Sequence, residues 1–425
     1  MRSRTGCWTC REDGYKCDEE KPSCGRCVRL KKTCKGYGIR LRWREATSSN
    51  YRVSAQTKKK PSSQLEYRPY ITRIPDVRLG DEKLLHHWRT AFAQLISISV
   101  STHNPFLVHL NPLLEHSGAL RSVITSMAAN HLAQIQPESN WAVVAIQHRI
   151  RAVAYLQKNI ATSHPETSLA TVILLQLADR LFMEDSGVNH LQGAKAIILH
   201  RGGQGAWSSS RGKFLLALCW YHDVLSSVSK SQAPLLGLEN VLVEGLFDSV
   251  KLRTILALVG QISSLRSGEG KNNAVEEQRI LSALIALEET EPADDTSRNS
   301  EVFRQSALIY FYRTTKASDY YPSLHSRLCL QHLSLIPPSS PFASSHIWPL
   351  WTAGCEVTDE KLRGFVLHRL DEMYQARHLT YLQRLKHDVL DVWHMKDLRR
   401  GESGKDDIDC VNAILNVRHR DVDIV

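Results

Sequence analysis

The first 34 residues hold six cysteines: Cys7, Cys10, Cys17, Cys24, Cys27 and Cys34. The half Cys7-x2-Cys10-x6-Cys17 recurs seventeen residues later as Cys24-x2-Cys27-x6-Cys34. Structural zinc takes four tetrahedral ligands, and thiolates suit it. Six thiolates serve one ion with two left over, or two ions if two sulfurs bridge. The duplication favours two ions, because each half offers three thiolates and neither completes a site alone. A Cys-x2-Cys pair converges on one metal, and the six-residue gap fits a short helix that returns a third ligand. Pro22 stiffens the turn joining the halves. A disulfide knot is the competing use of these thiols. However, Met1-Arg2-Ser3-Arg4 leads into cysteines and charge rather than an apolar signal segment. A reducing compartment is therefore expected, and there clustered cysteines favour metal.

The charge is placed unevenly. Residues 1–60 carry 17 Lys/Arg and 6 Asp/Glu, a net of +11. The whole chain is +10, so residues 61–425 sum to −1. A basic module on a near-neutral body is the footprint of a polyanion binder. At 425 residues with 42% hydrophobic content the chain can build one large core or two medium ones beside the cysteine module. No run of eighteen apolar residues is present, so no membrane span is expected.

Several runs carry a specific resemblance. They are Gly6-Cys7-Trp8-Thr9-Cys10-Arg11, Lys16-Cys17-Asp18, Lys21-Pro22-Ser23-Cys24-Gly25-Arg26-Cys27 and Cys34-Lys35-Gly36-Tyr37-Gly38. Together they resemble the fungal binuclear zinc-cluster transcription factors. The resemblance implies two zinc ions bridged by Cys7 and Cys24, one completed by Cys10 and Cys17, the other by Cys27 and Cys34. It also implies that a first helix around Arg11 to Lys16 enters the major groove of double-stranded DNA over a CGG-like triplet. The sequence departs from the family at Glu12, Asp13 and Gly14, which stand where the family is usually basic. Two carboxylates should repel the phosphate backbone, and Gly14 should weaken a short helix. Lower affinity or an altered triplet is the expectation. Arg4, Arg11, Lys16, Arg26, Arg29, Lys31, Lys32, Arg40 and Arg42 are the candidate DNA contacts.

The elements behind this module follow in order. Residues 1–38 form the cluster domain, two short helices around the metals. Residues 39–80 read as a basic, largely flexible linker: the arm Ile39-Arg40-Leu41-Arg42-Trp43-Arg44, then a Ser-rich stretch with Lys58-Lys59-Lys60. The linker shows no a/d heptad, so dimerisation just after the cluster through a coiled coil is not expected. From 81 to 397 apolar residues recur at helical spacing, which predicts a large all-α domain of packed antiparallel helices. Ser267–Asn273 and Thr290–Ser300 read as surface loops, and 398–425 as a polar C-terminal tail with one apolar patch, Val411 to Val417, suited to cap the body.

Two runs in the body, His190-Leu191-Gln192-Gly193-Ala194 through Arg201-Gly202-Gly203 and Trp348-Pro349-Leu350-Trp351-Thr352-Ala353-Gly354-Cys355-Glu356, look like landmarks of the fungal-specific transcription factor regulatory domain. That resemblance implies a regulatory, all-α body and co-regulator contacts. Catalysis is not expected. No His-Glu-x-x-His or Gly-x-Ser-x-Gly is present, and Gly202-Gly203-Gln204-Gly205 follows no strand. The combined expectation is a nuclear, sequence-specific DNA-binding regulator of RNA polymerase II genes, binding as a monomer or as a homodimer through the helical body. The alternative is a protein-interaction regulator whose cluster is structural and binds DNA weakly.

Overall fold

The computed structural model describes residues 6–20, 23–36, 78–98, 103–182, 188–237, 249–266, 273–316, 322–403 and 408–418. The chain divides into two compact units, Met1–Thr72 and Arg73–Val425.

In the first unit the sequence repeat becomes a structural one. Helix α1 spans Trp8–Asp13 and α2 spans Gly25–Arg29. Each begins one residue after a cysteine whose sulfur accepts a backbone N–H: Cys7 from Cys10, Cys24 from Cys27. Each closes with matching bonds, Tyr15 N–H to Cys10 C=O and Lys32 N–H to Cys27 C=O, both 2.9 Å. The closures need left-handed backbone at Gly14 (φ 78°) and at Lys31 (φ 51°). Gly14 thus ends α1 rather than weakening its interior. The helix also lies N-terminal to the expected 11–16 span, so Tyr15 and Lys16 fall outside it.

The second unit is helical throughout, with no strand among the described residues. Its first helices are α3 (Arg78–His87), α4 (Ala93–Ile96, after a π turn at Trp88–Phe92), α5 (Pro105–Leu110), α6 (Gly118–Ile135) and α7 (Trp141–Asn159). Next come α8 (Pro165–Phe182), α9 (His190–His200), α10 (Ser210–Lys230), α11 (Val250–Arg266) and α12 (Asn273–Ala286). Then follow α13 (Asp295–Thr315), α14 (Pro322–Ser334), α15 (Ile347–Gly354), α16 (Glu360–Arg377), α17 (Thr380–Ser403) and α18 (Cys410–Arg418).

The starts are written in the sequence. Ser117, Asn189, Ser209, Asp294 and Asp359 each accept a backbone N–H from the first turn that follows. One large core links α3 to α18 and includes the fully buried Trp88, Trp207, Phe214, Phe303 and Trp348. Trp348 and Trp351 on α15 are core anchors, as their pattern predicts. Gly202 and Gly203, at φ 103° and 79°, terminate α9.

Two expectations are corrected. Residues 295–300 are the first turns of α13 rather than a loop, and Asn299 and Ser300 are buried. The 397/398 boundary falls inside α17, and Val411 and Ile414 of α18 join the core. The packing of Val411 and Ile414 is what the apolar patch of the tail predicts; only the boundary moves.

Candidate metal centre and nucleic-acid interface

Among the described residues of the first unit the buried side chains are the thiols of Cys7, Cys10, Cys17, Cys24 and Cys27, with Cys34 packed against them, and the polar Thr9. No aliphatic or aromatic side chain among the described residues joins this cluster, so it has little apolar surface of its own to hold it together. All six are free thiols. Two quartets of sulfur atoms each fall within 4.8 Å: Cys7, Cys10, Cys17, Cys24 and Cys7, Cys24, Cys27, Cys34. Cys7 and Cys24 belong to both.

The spacing suits zinc. A tetrahedron with Zn–S of about 2.3 Å requires S···S separations of about 3.8 Å. Cys7 Sγ lies 3.6 Å from Cys24 Sγ and 3.8 Å from Cys27 Sγ, and Cys10 Sγ lies 3.6 Å from Cys24 Sγ. Such proximity disfavours thiolates unless a cation joins them. Burial pushes the Cys7 thiol well up and the Cys24 thiol up to about 12, whereas backbone N–H groups of Cys24 and Gly36 draw Cys34 down to about 7. Two divalent ions supply the missing charge and convert the thiols into ligands.

Several residues that the cysteine pattern does not single out hold the centre. A Cβ on Gly6 would meet Cys17 Cβ at 2.6 Å, so only glycine fits there. Thr9 Oγ1 donates to Thr33 C=O at 2.9 Å and accepts from Lys35 N–H at 3.0 Å, which pins the chain around Cys34 to α1. Asp18 accepts the N–H groups of Gly25 and Arg26 at 3.1 and 3.0 Å, capping α2 across the two halves. Desolvation opposes ionisation of Asp18, but backbone donors from Glu20, Arg26 and Gly25 outweigh it and lower its pKa. An Asp directly after the third cysteine was the available signal.

The acidic residues of α1 do not stand free. Asp13 pairs with Lys32 at 2.8 Å and with Arg26 at 3.1 Å, and Glu12 pairs with Lys35 at 2.5 Å. Hydrogen bonds from Lys32 and then Arg26 hold the Asp13 carboxyl below its ordinary value. The expectation of two bare carboxylates facing phosphate is thereby revised, because the second half of the module neutralises them. The same pairing engages two candidate DNA contacts, Arg26 and Lys32. Arg26 also stacks on Tyr15 at 4.2 Å, and Arg11 on Trp8 at 4.2 Å. Arg11, Lys16, Arg29 and Lys31 are exposed and form no ion pair among the described residues. Arg4, Arg40, Arg42, Pro22 and the arm 39–44 lie outside the described residues.

Comparison with known proteins accords with this geometry. The Fungal Zn(2)-Cys(6) binuclear cluster domain matches residues 5–44, and the Fungal specific transcription factor domain matches 83–258 and 271–420. The "Pestheic acid cluster transcriptional regulator 3" of Pestalotiopsis fici is 54% identical over 43 residues, 10% of this chain and 8% of that protein. The "Arginine metabolism regulation protein II" of Saccharomyces cerevisiae is 36% identical over 89 residues, 20% of this chain and 10% of that protein. The "Thiamine biosynthesis regulatory protein" of the same yeast is 26% identical over 144 residues, 31% of each chain. The match thus spans less than a third of the length of each of these relatives. No solved structure matches the chain. These relatives are named as regulators, not enzymes. A two-zinc cysteine cluster followed by a helical domain matched over most of its length places the chain in the family of fungal zinc-cluster transcription regulators.

Proposed function

We propose that the protein is a nuclear regulator that binds double-stranded DNA through its zinc cluster at a short CGG-like element. The observation that supports it most is the exposed cationic set Arg11, Lys16, Arg29 and Lys31 around two sulfur quartets that share Cys7 and Cys24. The six cysteines are the proposed ligands of two zinc ions. Arg or Lys reads guanine O6 and N7 in the major groove, while the other cations hold phosphates. In this reading Lys16, just past the end of α1, contacts bases, and Arg29 and Lys31 contact the backbone. The helical body engages co-regulators and carries any homodimer contact.

The internal pairing of Arg26, Lys32 and Lys35 supports a second reading. In it the cluster is chiefly structural, DNA affinity is low, and the protein acts by binding another factor. Fluorescence anisotropy of the full chain on a CGG-containing duplex and on a scrambled duplex separates the two. The first reading expects at least tenfold preference for CGG, lost in Lys16→Ala. Equal, weak binding to both duplexes supports the second.

A further inference from the structure

The helical body contains a cavity with a mostly apolar wall. It lies where α8, α10, α15 and the start of α17 meet the end of α4, and it holds roughly 790 Å³ of empty space counting its mouth. Sites for small molecules fall in this range of size and are largely apolar, with a few polar groups that fix orientation. Leu177 and Leu181 of α8, Leu218 and Leu225 of α10 and Phe106 of α5 are among its walls.

Several polar side chains of the wall are already turned to the protein. Ser344 Oγ donates to Leu95 C=O at 2.9 Å, and Ser345 Oγ donates to Phe342 C=O at 2.7 Å. Arg180 Nη1 donates to His222 Nδ1 at 2.8 Å, and Arg384 lies 4.0 Å from the Asp388 carboxylate. Tyr381, at the start of α17, differs from these. It lines the cavity and is only 7% exposed, yet its hydroxyl has no hydrogen-bond partner among the described residues. Burial raises the phenol above its ordinary pKa, with Arg377 and Arg180 opposing only in part, so the O–H keeps its proton. A buried tyrosine hydroxyl ordinarily has a partner. Here the cavity is where an acceptor can enter.

We infer that the cavity binds a small, neutral, largely apolar carbonyl compound, its oxygen on the Tyr381 hydroxyl and its hydrocarbon body between α8, α10 and α15. The open group is an uncharged donor, and an uncharged acceptor satisfies it without bringing a further charge into an apolar wall, which burial penalises. A carbonyl oxygen accepts and has no O–H of its own, so it strands no second donor among the leucines. This inference concerns the body alone and stands apart from how the cluster reads DNA.

The test uses the full chain, isothermal titration and four probes. Two are ketones, acetophenone and octan-2-one. Ethylbenzene matches acetophenone in shape without the carbonyl, and benzoate matches it with a charge. Saturable binding of at least one ketone is expected, with acetophenone about fivefold or more tighter than ethylbenzene and tighter than benzoate. Tyr381→Phe keeps the ring and removes the hydroxyl. It should weaken the ketones about fivefold and leave ethylbenzene unchanged. Leu218→Trp should abolish binding of every probe by filling the cavity. The assignment is overturned if neither ketone binds up to millimolar concentration, if ethylbenzene binds as tightly as acetophenone, or if benzoate binds more tightly. Unchanged ketone affinity in folded Tyr381→Phe also overturns it. The comparison among acetophenone, ethylbenzene and benzoate needs no variant and decides the matter if Tyr381→Phe does not fold.

Discussion

At Asp13 one carboxylate meets two cations, and that arrangement sets how much positive charge the cluster presents. Lys32 and Arg26 lie 2.8 and 3.1 Å away. The pKa of Asp13 lies below its ordinary value, so the carboxylate stays ionised well below neutral pH and the two pairs persist wherever the thiolates can hold zinc. Asp13→Ala should release both cations towards phosphate. We expect tighter binding to any duplex, with the slope of log K against log salt steeper by about one to two, measured by anisotropy between low and moderate salt. An unchanged slope would mean that neither cation faces DNA. The shared sulfurs make a second prediction. Cys24 lies in both quartets and Cys10 in one. Metal analysis of Cys24→Ser should return less than one zinc per chain, whereas Cys10→Ser should retain more than Cys24→Ser. Equal losses would argue against bridging by Cys24.

At the scale of elements, His346 shows how the body holds buried polar groups. It directly precedes α15, is fully buried, and its Nε2–H donates to Asn299 Oδ1 at 3.1 Å. Burial, followed by the nearby Arg369 and Arg377, depresses its pKa to about 3. A depressed histidine pKa means that the unfolded chain binds the proton more readily than the folded one. The contribution is therefore complete above about pH 6.5 and falls as pH drops towards 3. His131, depressed to about 4 chiefly by burial, acts in the same direction. Urea unfolding of His346→Gln should show a pH dependence shallower by about 1.4 kcal/mol per pH unit below pH 6; a parallel pH profile would contradict the buried, neutral state. The first turns of α13 show where sequence reading stops. Thr296, Arg298, Asn299 and Ser300 suggest a loop by composition, yet Asn299 bonds His346 and Glu301 pairs with Arg304 at 2.8 Å. Apolar periodicity does not register a helix face buried through polar partners, although the Asp294–Ser297 capping box was readable. The long apolar helices were legible because their period is local. The pairing of Glu12 and Asp13 was not, because it joins residues 13 to 23 positions apart and depends on how the two halves face each other.

At the scale of the molecule, the two units are held by different physics, and this can be tested by removing one of the two forces. The body buries a continuous core of leucine, isoleucine, valine and aromatic side chains from α3 to α18. Among its described residues, the first unit has a hydrophobic cluster made of cysteines. Metal binding must then supply most of the folding free energy of the cluster, as for other small metal-built modules, while the body owes its stability to burial of apolar surface. A strong zinc chelator should therefore melt the cluster and spare the body. Far-UV circular dichroism of the full chain should change little, since α1 and α2 are six and five residues long beside eighteen- to twenty-four-residue helices in the body. Proteolysis should become rapid within residues 6–36 and remain slow across α6 to α17. DNA binding should vanish. Loss of the helical signal on chelation would show that the body depends on the metal. Intact DNA binding without zinc would show that cysteine packing alone shapes the reading surface.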